Sequence, residues 1–272
     1  MIIVGELINS SRKTVAQAIR DGDGEAIKEL ARAQAERGAD YIDVNAGTFV
    51  GEEPGYLSWL VQTVQSAVDL PCCLDSPDPW AIEAAVSVHQ GTPMINSISL
   101  EKSRFEGLIS LLAGTGFKVV ALCMSDDGMP ETSQDRLSIA GELIDRLEQH
   151  NVPSENVFVD PLVQPIGTNQ GYGLAFLQAV EAIRGRFESV HTMCGLSNIS
   201  FGLPRRGFLN QTFMVLAIGR GLDGAIINPL DKRMMASILA AETLVGRDEY
   251  CMNYLDGYRA GLLEPPEPGS GS

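Results

Sequence analysis

The sequence is short of the basic side chains that anion-binding proteins use. Among 272 residues there are 20 lysines and arginines against 35 aspartates and glutamates, which gives a net charge of −15 at pH 7. Nucleic-acid-binding surfaces carry clustered basic residues, and no basic run here is longer than a pair such as Arg205–Arg206. We therefore expect no nucleic-acid partner, and the same charge disfavours binding to an anionic membrane surface.

Motifs for metal binding and disulfide formation are also missing. There are only three histidines, none in H-x-H or H-E-x-x-H spacing, and the five cysteines show no C-x-x-C pair or Cys/His pattern. Structural zinc sites depend on such spacings, and an odd number of cysteines argues against a disulfide framework. We expect no protein-bound metal, and reduced thiols buried in the core.

Long apolar runs are absent as well. The opening "MIIVGELIN" has no basic segment before it and is too short for a signal peptide. No stretch approaches the roughly 18 apolar residues that a membrane span requires. The sequence therefore predicts a soluble, cytoplasmic protein.

Short apolar runs alternate with helical patterns along most of the chain. Eight runs rich in β-branched residues are continuously apolar, as parallel strands buried on both faces are; they begin at residues 2, 40, 71, 93, 117, 156, 190 and 223. This repetition predicts a single (β/α)8 TIM barrel over residues 1–262. A doubly wound open sheet is the alternative, but "GELINSS" after the first run is not the glycine-rich turn that such folds use. The Pro-, Gly- and Ser-rich residues 263–272 are expected to form a disordered tail.

A polar residue recurs at the carboxyl end of strand after strand. In a barrel these positions converge on one rim, where barrel enzymes place their active sites. Any one of them could be a helix cap or turn former instead, whereas so many together predict a site. The residues are Glu6, Asn45, Asp75, Asn96, Asp160, Asn198 and Asn228.

The chemistry of this rim is unusual because it holds carboxylates and carboxamides and no cation at a strand end. A Schiff-base aldolase needs a lysine there, but the chain has only five lysines, and Lys118 opens its strand at the opposite rim. No glycine-rich loop offers a phosphate site. The rim suits a flat, neutral heterocycle rich in N–H donors, which carboxylates bind through paired hydrogen bonds.

Several short motifs resemble those of a known family. "GELIN" at Gly5–Asn9, "DVNAG" at Asp43–Gly47, "LDS" at Leu74–Ser76, "INS" at Ile95–Ser97, "VDPL" at Val159–Leu162 and "GLSNIS" at Gly195–Ser200 come in this order. From Met1 to about Leu262 the chain resembles the pterin-binding (β/α)8 methyltransferases, which act on methyltetrahydrofolate and a corrinoid protein.

The resemblance implies a role for each matching residue. Asp75, Asn96 and Asp160 would hold the pterin ring, and Asn198 would reach N5 and act in catalysis. Glu6, Asn9 and Asn45 would line the same rim. Members of the family often have Arg after the first Glu, and this chain has Leu7 there, so no role for that arginine is carried over.

The implied reaction explains why a catalytic asparagine needs no nucleophile beside it. A reduced corrinoid, cob(I)alamin, is itself the nucleophile, so the protein has only to orient the pterin and favour positive charge on N5 in the transition state. The resemblance thus implies tetrahydrofolate as substrate, cobalamin carried by a corrinoid partner protein, and a homodimer. It leaves the direction of methyl transfer open.

Three alternatives stay open at this point. A dihydropteroate synthase shares the barrel and pocket but must stabilise a departing pyrophosphate, for which the strand ends lack a cation. A folate-binding protein without catalysis is the second, and a rim whose polar residues merely cap helices is the third. Arg205 and Arg206 could be ordinary solvated charge, or could meet the folate glutamate tail or the corrinoid protein; Trp59 and Trp80 are expected to be packing residues.

Overall fold

The computed structural model describes residues 1–263, which form a closed barrel of eight parallel strands paired in chain order. The predicted TIM barrel is therefore confirmed. Of the predicted tail, residues 264–272 lie outside the described residues. The strands are β1 (Ile2–Asn9), β2 (Tyr41–Asn45), β3 (Cys72–Asp75), β4 (Met94–Ile98), β5 (Lys118–Leu122), β6 (Val157–Asp160), β7 (His191–Gly195) and β8 (Gly224–Ile227).

Helices follow every strand and cover the outside of the barrel. Two helices fill the first crossover and two follow the last strand. They are α1 (Lys13–Asp21), α2 (Gly24–Glu36), α3 (Glu53–Gln65), α4 (Pro79–Val88), α5 (Lys102–Leu112), α6 (Ser133–Gln149), α7 (Tyr172–Arg186), α8 (Arg206–Gly219), α9 (Lys232–Leu244) and α10 (Met252–Arg259). Single 3-10 turns cover Ser154–Asn156, Leu196–Ser200 and Glu249–Cys251. None of the helices within residues 1–263 is long and apolar enough to cross a membrane.

The core has two layers because strand side chains alternate between the two faces of the sheet. Outward residues such as Ile42 and Val44 pack against the helices, whose buried faces carry the predicted apolar spacing. The inward residues Val4, Tyr41, Cys73, Met94, Val120, Phe158 and Met193 fill the barrel interior. Lys118 lies at the amino-terminal end of this interior, its ammonium 5.4 Å from the Phe158 ring centroid. The barrel is thus a filled core, and the polar residues are left to its carboxyl-terminal rim.

The first strand differs from its prediction. Glu6 was expected to end β1, but the strand continues to Asn9 through a bulge, with Gly5 opposite Ile42 and Ile8 opposite Val44. The bulge inserts one extra residue, and a side chain supplies the hydrogen bond that the ladder loses: Oε1 of Gln34 on α2 accepts from the Leu7 N–H at 3.0 Å. Glycine suits this position, since a Cβ at residue 5 would lie 2.4 Å from the same oxygen and would force the Gln34 side chain to move.

Candidate active site

Neighbouring strands bring three of the predicted site residues side by side. In the strand register Asn45 lies opposite Asp75, and Asp75 lies opposite Asn96. Asn45 and Asp75 end their strands, whereas Asn96 comes two residues before the end of β4, where a second bulge separates Asn96 from Ile98. The β2–β4 sector of the rim is therefore a continuous polar wall.

Asn45 is committed to other protein groups. Its Nδ2 donates to Oδ2 of Asp75 at 2.9 Å, and its Oδ1 accepts from the Ser10 hydroxyl at 3.1 Å and from the Gly47 N–H at 3.0 Å. These bonds fix the orientation of the amide. Asn45 thus orients the Asp75 carboxylate and keeps little capacity for a ligand of its own.

Asp43 is a site residue that the sequence reasoning missed. Its side chain is 2% exposed, lies close to Asp75, Cys73 and Asn96, and its Oδ1 has no hydrogen-bond partner within the described chain. Burial first, and the neighbouring Asp75 second, raise the pKa of Asp43 well above its ordinary value. Burial thus favours the protonated form of Asp43 over its charged form. Its spacing of two from Asn45 on one strand was the available signal, because such residues share a face.

Asp160 lies across the rim, at the end of β6, and is 7% exposed. Its Oδ1 accepts from the Leu162 N–H at 2.8 Å. Burial raises the pKa of Asp160 to about 6, while backbone N–H groups of Leu162 and Gly195 and the charge of Arg136 oppose the rise. At neutral pH the carboxylate is ionised and poorly hydrated, the state in which it binds paired N–H donors most strongly.

Asn198 follows β7, as predicted, in the 3-10 turn Leu196–Ser200. Its side chain is exposed, and no hydrogen bond from elsewhere in residues 1–263 engages its amide. The turn itself is held by Arg206, whose Nη2 donates to the Ser197 carbonyl at 2.5 Å and whose Nε donates to the Ser200 hydroxyl at 3.0 Å. The Asn198 amide is therefore free on a fixed turn, whereas the Arg206 guanidinium is occupied by its hydrogen bonds to that turn.

The remaining rim residues divide between the site and ordinary turns. The pKa of Glu6 is raised by burial and lowered less strongly by Arg12 and Arg206, and its Oε1 lies 3.3 Å from the Arg12 guanidinium. Asn9 accepts from the Ser11 N–H at 2.9 Å, and Asn228 accepts from the Leu230 N–H at 3.0 Å. The side-chain oxygens of Asn9 and Asn228 thus stabilise ordinary turns, as the alternative without a site predicts. Glu6, in contrast, faces the rim.

A cavity of about 510 Å³ opens beside Asp75 and Asn96, a size typical of small-molecule sites. Leu122 and Met124 supply an apolar wall, and Arg104 lies in the lining. A flat ring could pack against that wall while its edge meets the carboxylate and the carboxamide. No group of three or more His, Cys, Asp or Glu side chains suited to a metal ion occurs among the residues described.

Two other expectations need correction. Cys72, Cys73, Cys123 and Cys194 are buried free thiols, but Cys251 is exposed. Trp80 is 75% exposed in the first turn of α4 and does not pack in the core.

Comparison with known proteins gives a consistent set of similarities. A family of sequences described as "Pterin binding enzyme" matches residues 5–228. The chain is 36% identical over 267 residues to the methylcorrinoid:tetrahydrofolate methyltransferase of Eubacterium limosum, covering 97% of this chain and 98% of that protein. It is 29% identical to the methionine synthase of Mycobacterium tuberculosis over 84% of this chain and 20% of that longer protein.

Solved structures are similar in fold. A dihydropteroate synthase from Xanthomonas albilineans superposes with a TM-score of 0.68 at 19% identity, over 91% of this chain and 92% of that one. The dihydropteroate synthase of Thermus thermophilus superposes with a TM-score of 0.67, also at 19% identity, over 89% and 92% of the two chains.

Proposed function

The chain belongs to the family of pterin-binding enzymes, and on that premise we propose that it moves a methyl group between the cobalt of a corrinoid protein and N5 of tetrahydrofolate. The observation that carries this proposal is a rim of fixed hydrogen-bond acceptors beside a carboxamide, that of Asn198, which no hydrogen bond within residues 1–263 engages. The 36% identity to a methylcorrinoid:tetrahydrofolate methyltransferase over nearly the whole of both chains supports it.

The rim residues divide into ring-binding and N5-facing groups. Asp75 and Asp160 accept hydrogen bonds from the pterin N–H groups, and Asn96 completes the polar wall beside Asp75. Asn198 meets N5 from the opposite side of the rim. Asn45 and Glu6 support this arrangement through their neighbours, and the Asn9 oxygen stabilises the turn after β1.

We propose transfer from the methylcorrinoid to tetrahydrofolate, the direction in the name of the relative from Eubacterium limosum. The N5 lone pair attacks the methyl carbon, the electron pair of the cobalt–carbon bond remains on cobalt, and N5 then loses its proton. The amide oxygen of Asn198 accepts a hydrogen bond from the N5 proton, and this bond strengthens as positive charge develops on N5. The reverse transfer uses the same contacts.

Dihydropteroate synthesis is less well supported. The similarity to those structures is at 19% identity and concerns the fold. Stabilising a departing pyrophosphate takes cationic side chains directed at the ligand, whereas Arg104, Arg136 and Arg206 each donate to a backbone carbonyl near the rim.

The corrinoid protein would dock on the open face of the rim. Large apolar side chains are exposed on the segments that follow five of the strands, although this protein carries a charge of −15. These segments surround the site, so a partner seated on them would bring its cobalt over N5. The exposed residues are Val50, Trp80, Met129, Phe201 and Leu230.

A homodimer would form elsewhere, on helix α8. Between Arg206 and Arg220 this helix has no charged residue, and its exposed face presents Phe208, Val215 and Leu216. Two copies that each carry −15 repel one another, so their contact needs a surface without charge. This face fits a second copy of the chain better than a basic partner, which would need acidic residues there.

We further propose that the chain needs no metal ion of its own and works in the cytoplasm. The corrinoid cobalt supplies the metal chemistry as part of the substrate. Five cysteines without a disulfide among them suit a reducing compartment.

An anaerobic mixing experiment tests the proposed function. The chain is incubated with methylcobalamin and tetrahydrofolate, and separately with cob(I)alamin and 5-methyltetrahydrofolate, while the cobalamin absorption spectrum is recorded. We expect interconversion of the two cobalamin spectra with matching loss or gain of 5-methyltetrahydrofolate. Folate binding without transfer in either direction would indicate a non-catalytic folate-binding protein.

A further inference from the structure

Three arginines occupy the first turns of three helices. Arg104 is the third residue of α5, Arg136 the fourth of α6 and Arg206 the first of α8. A cation at a helix amino terminus is disfavoured by the helix dipole. Other interactions must therefore hold these guanidinium groups in place.

Arg104 connects the segments that follow β3 and β4. Its Nη2 donates to the Ser76 carbonyl and its Nε donates to the Ser97 carbonyl, each at 2.6 Å. These carbonyls belong to the residues directly after Asp75 and Asn96. One rigid guanidinium thus sets the distance between the two strand ends that carry ring-binding side chains.

The Ser76 position is held from a second side. Its hydroxyl donates to Oε1 of the buried Glu53 at 2.5 Å. The segment after Asp75 is therefore fixed between α3 and α5.

Arg136, which is fully buried, holds the segment that follows Asp160. Its Nε donates to the Pro161 carbonyl at 2.8 Å, directly after Asp160, and its Nη2 reaches the Leu162 carbonyl at 3.4 Å. Its Nη1 donates to the carbonyls of Glu131 and Thr132, the two residues directly before its own helix, each at 3.0 Å. Arg206 completes the set through the Ser197 carbonyl, directly before Asn198.

We propose that Arg104, Arg136 and Arg206 are positioning residues of the pterin site, the first two for binding and Arg206 for the methyl-transfer step: they fix the four strand-end segments that carry Asp75, Asn96, Asp160 and Asn198, and they supply positive charge behind the rim carboxylates. This inference rests on the proposed function, because it assumes that the four residues bind a pterin. It explains how a rim without a cation at any strand end offsets part of the cost of burying its carboxylates.

The charges are arranged in matching pairs. Arg104 lowers the pKa of Asp75, Arg136 that of Asp160 and Arg206 that of Glu6, in each case against the larger effect of burial. Each arginine donates to backbone or hydroxyl oxygens, so its charge acts on the carboxylate without occupying the acceptor oxygens that the ligand needs.

Other groups around Asp75 act in both directions. Asn45 on β2 lowers its pKa through a hydrogen bond, Glu53 on α3 raises it, and Asp43 on β2 is a second, coupled carboxyl. Arg104 is the cation that faces Asp75 from α5. Removing the charge of Arg104 while keeping the other groups should therefore raise the pKa of Asp75 further.

Arg104 is only partly buried, which makes it the best test. Tetrahydrofolate affinity is measured from pH 5 to 9 for wild type, Arg104→Gln and Arg104→Lys, with melting temperatures recorded for each. We expect Arg104→Gln to bind tetrahydrofolate at least about 10-fold more weakly than wild type. As the pH is lowered, its affinity should also begin to fall at a higher pH than that of wild type. Arg104→Lys keeps the charge and loses the two-carbonyl geometry, so it should bind weakly but retain the wild-type pH midpoint.

Two further variants separate positioning from general stability. Arg206→Gln should lower the single-turnover rate several-fold and leave folate affinity nearly unchanged, because it supports the Asn198 turn. Arg220→Gln, at the other end of α8 in an ion pair with Glu181, should change neither affinity, rate nor pH midpoint.

The inference is overturned if Arg104→Gln keeps the wild-type affinity, or if it binds weakly with an unchanged pH midpoint, since the arginine would then be only structural. It is also overturned if Arg220→Gln behaves like Arg104→Gln. The proposed function has its own test in the wild-type chain: a wild type that transfers methyl groups while the variants behave as wild type refutes this inference alone. A wild type that fails to bind tetrahydrofolate refutes both.

Discussion

Asn198 and Asp160 represent the two kinds of residue that the site combines. Asp160 is buried and holds backbone N–H groups before any ligand arrives, whereas Asn198 is exposed and its amide is free. Asp160 therefore has the properties of a group that recognises the pterin ring. Asn198 has those of a group that acts when positive charge develops on N5 during the reaction.

We expect Asn198→Ala to slow methyl transfer by about 10²–10³-fold, the usual cost of losing a transition-state hydrogen bond, with a much smaller loss of tetrahydrofolate affinity. Single-turnover transfer is measured beside equilibrium binding. Asn228→Ala is the matched control, because its amide oxygen only accepts from the Leu230 N–H. If rate and affinity of Asn198→Ala fall by the same factor, the residue only positions the pterin.

We expect Asp160 to make stability and tetrahydrofolate binding respond oppositely to pH. Its pKa is about 6 in the folded chain, raised by burial from the usual 3.8. The protonated form is therefore favoured by folding, so this residue's contribution to stability is fully present below about pH 3.8 and is lost as the pH rises through 6. The proposed contact with the pterin N–H groups needs the ionised form, so we expect tetrahydrofolate binding to weaken as the pH falls below 6.

Asp160→Asn should therefore stabilise the free chain at pH 8 by about 1–3 kcal/mol and weaken tetrahydrofolate binding by about 2–4 kcal/mol. Urea unfolding at pH 8 and pH 5 checks the first effect, which should shrink at the lower pH. Calorimetry checks the second. A variant that binds folate as wild type does would remove Asp160 from the site.

At the scale of elements, the bulge in β1 joins the rim to α2. Gly5→Ala would push its methyl group against Gln34 and break the bond from the Leu7 N–H, leaving a buried donor without a partner. We expect a loss of about 1–3 kcal/mol in the free energy of unfolding. Gly185→Ala, in open space on α7, is the control and should be neutral or stabilise by up to about 1 kcal/mol. Equal melting temperatures for wild type and Gly5→Ala would show that the bulge tolerates a side chain.

At the scale of the whole molecule, we propose separate partners for two exposed apolar surfaces, the face of α8 and the rim. Leu216→Asp on α8 should give a monomer in sedimentation analysis while transfer to free cobalamin continues. Met129→Asp on the rim should leave the dimer intact and slow transfer with the corrinoid protein by about 10-fold or more, with a smaller effect on free cobalamin. If Met129→Asp disrupts the dimer, or Leu216→Asp abolishes reaction with the corrinoid protein only, the two surfaces have been assigned the wrong way round.

The sequence by itself determined the barrel and predicted the rim on which the candidate site lies. Eight apolar runs separated by helical spacing suffice for the fold, and parallel strands in a closed barrel place all their carboxyl ends at one rim. Asp75, Asn96, Asp160 and Asn198 could therefore be grouped without coordinates. The motif resemblance then supplied the reaction, which composition alone did not specify.

Only the tertiary structure decided which rim side chains are free and which are charged. Asn45 and Asn198 look alike in sequence, but one is held by Ser10 and Asp75, 35 and 30 residues away, and the other is unengaged in the described chain. Arg104 reaches a carbonyl 28 residues away and Arg136 one 25 residues away. Such contacts depend on how each helix packs on the barrel, and the raised pKa of Asp43 depends on burial, which local sequence does not encode.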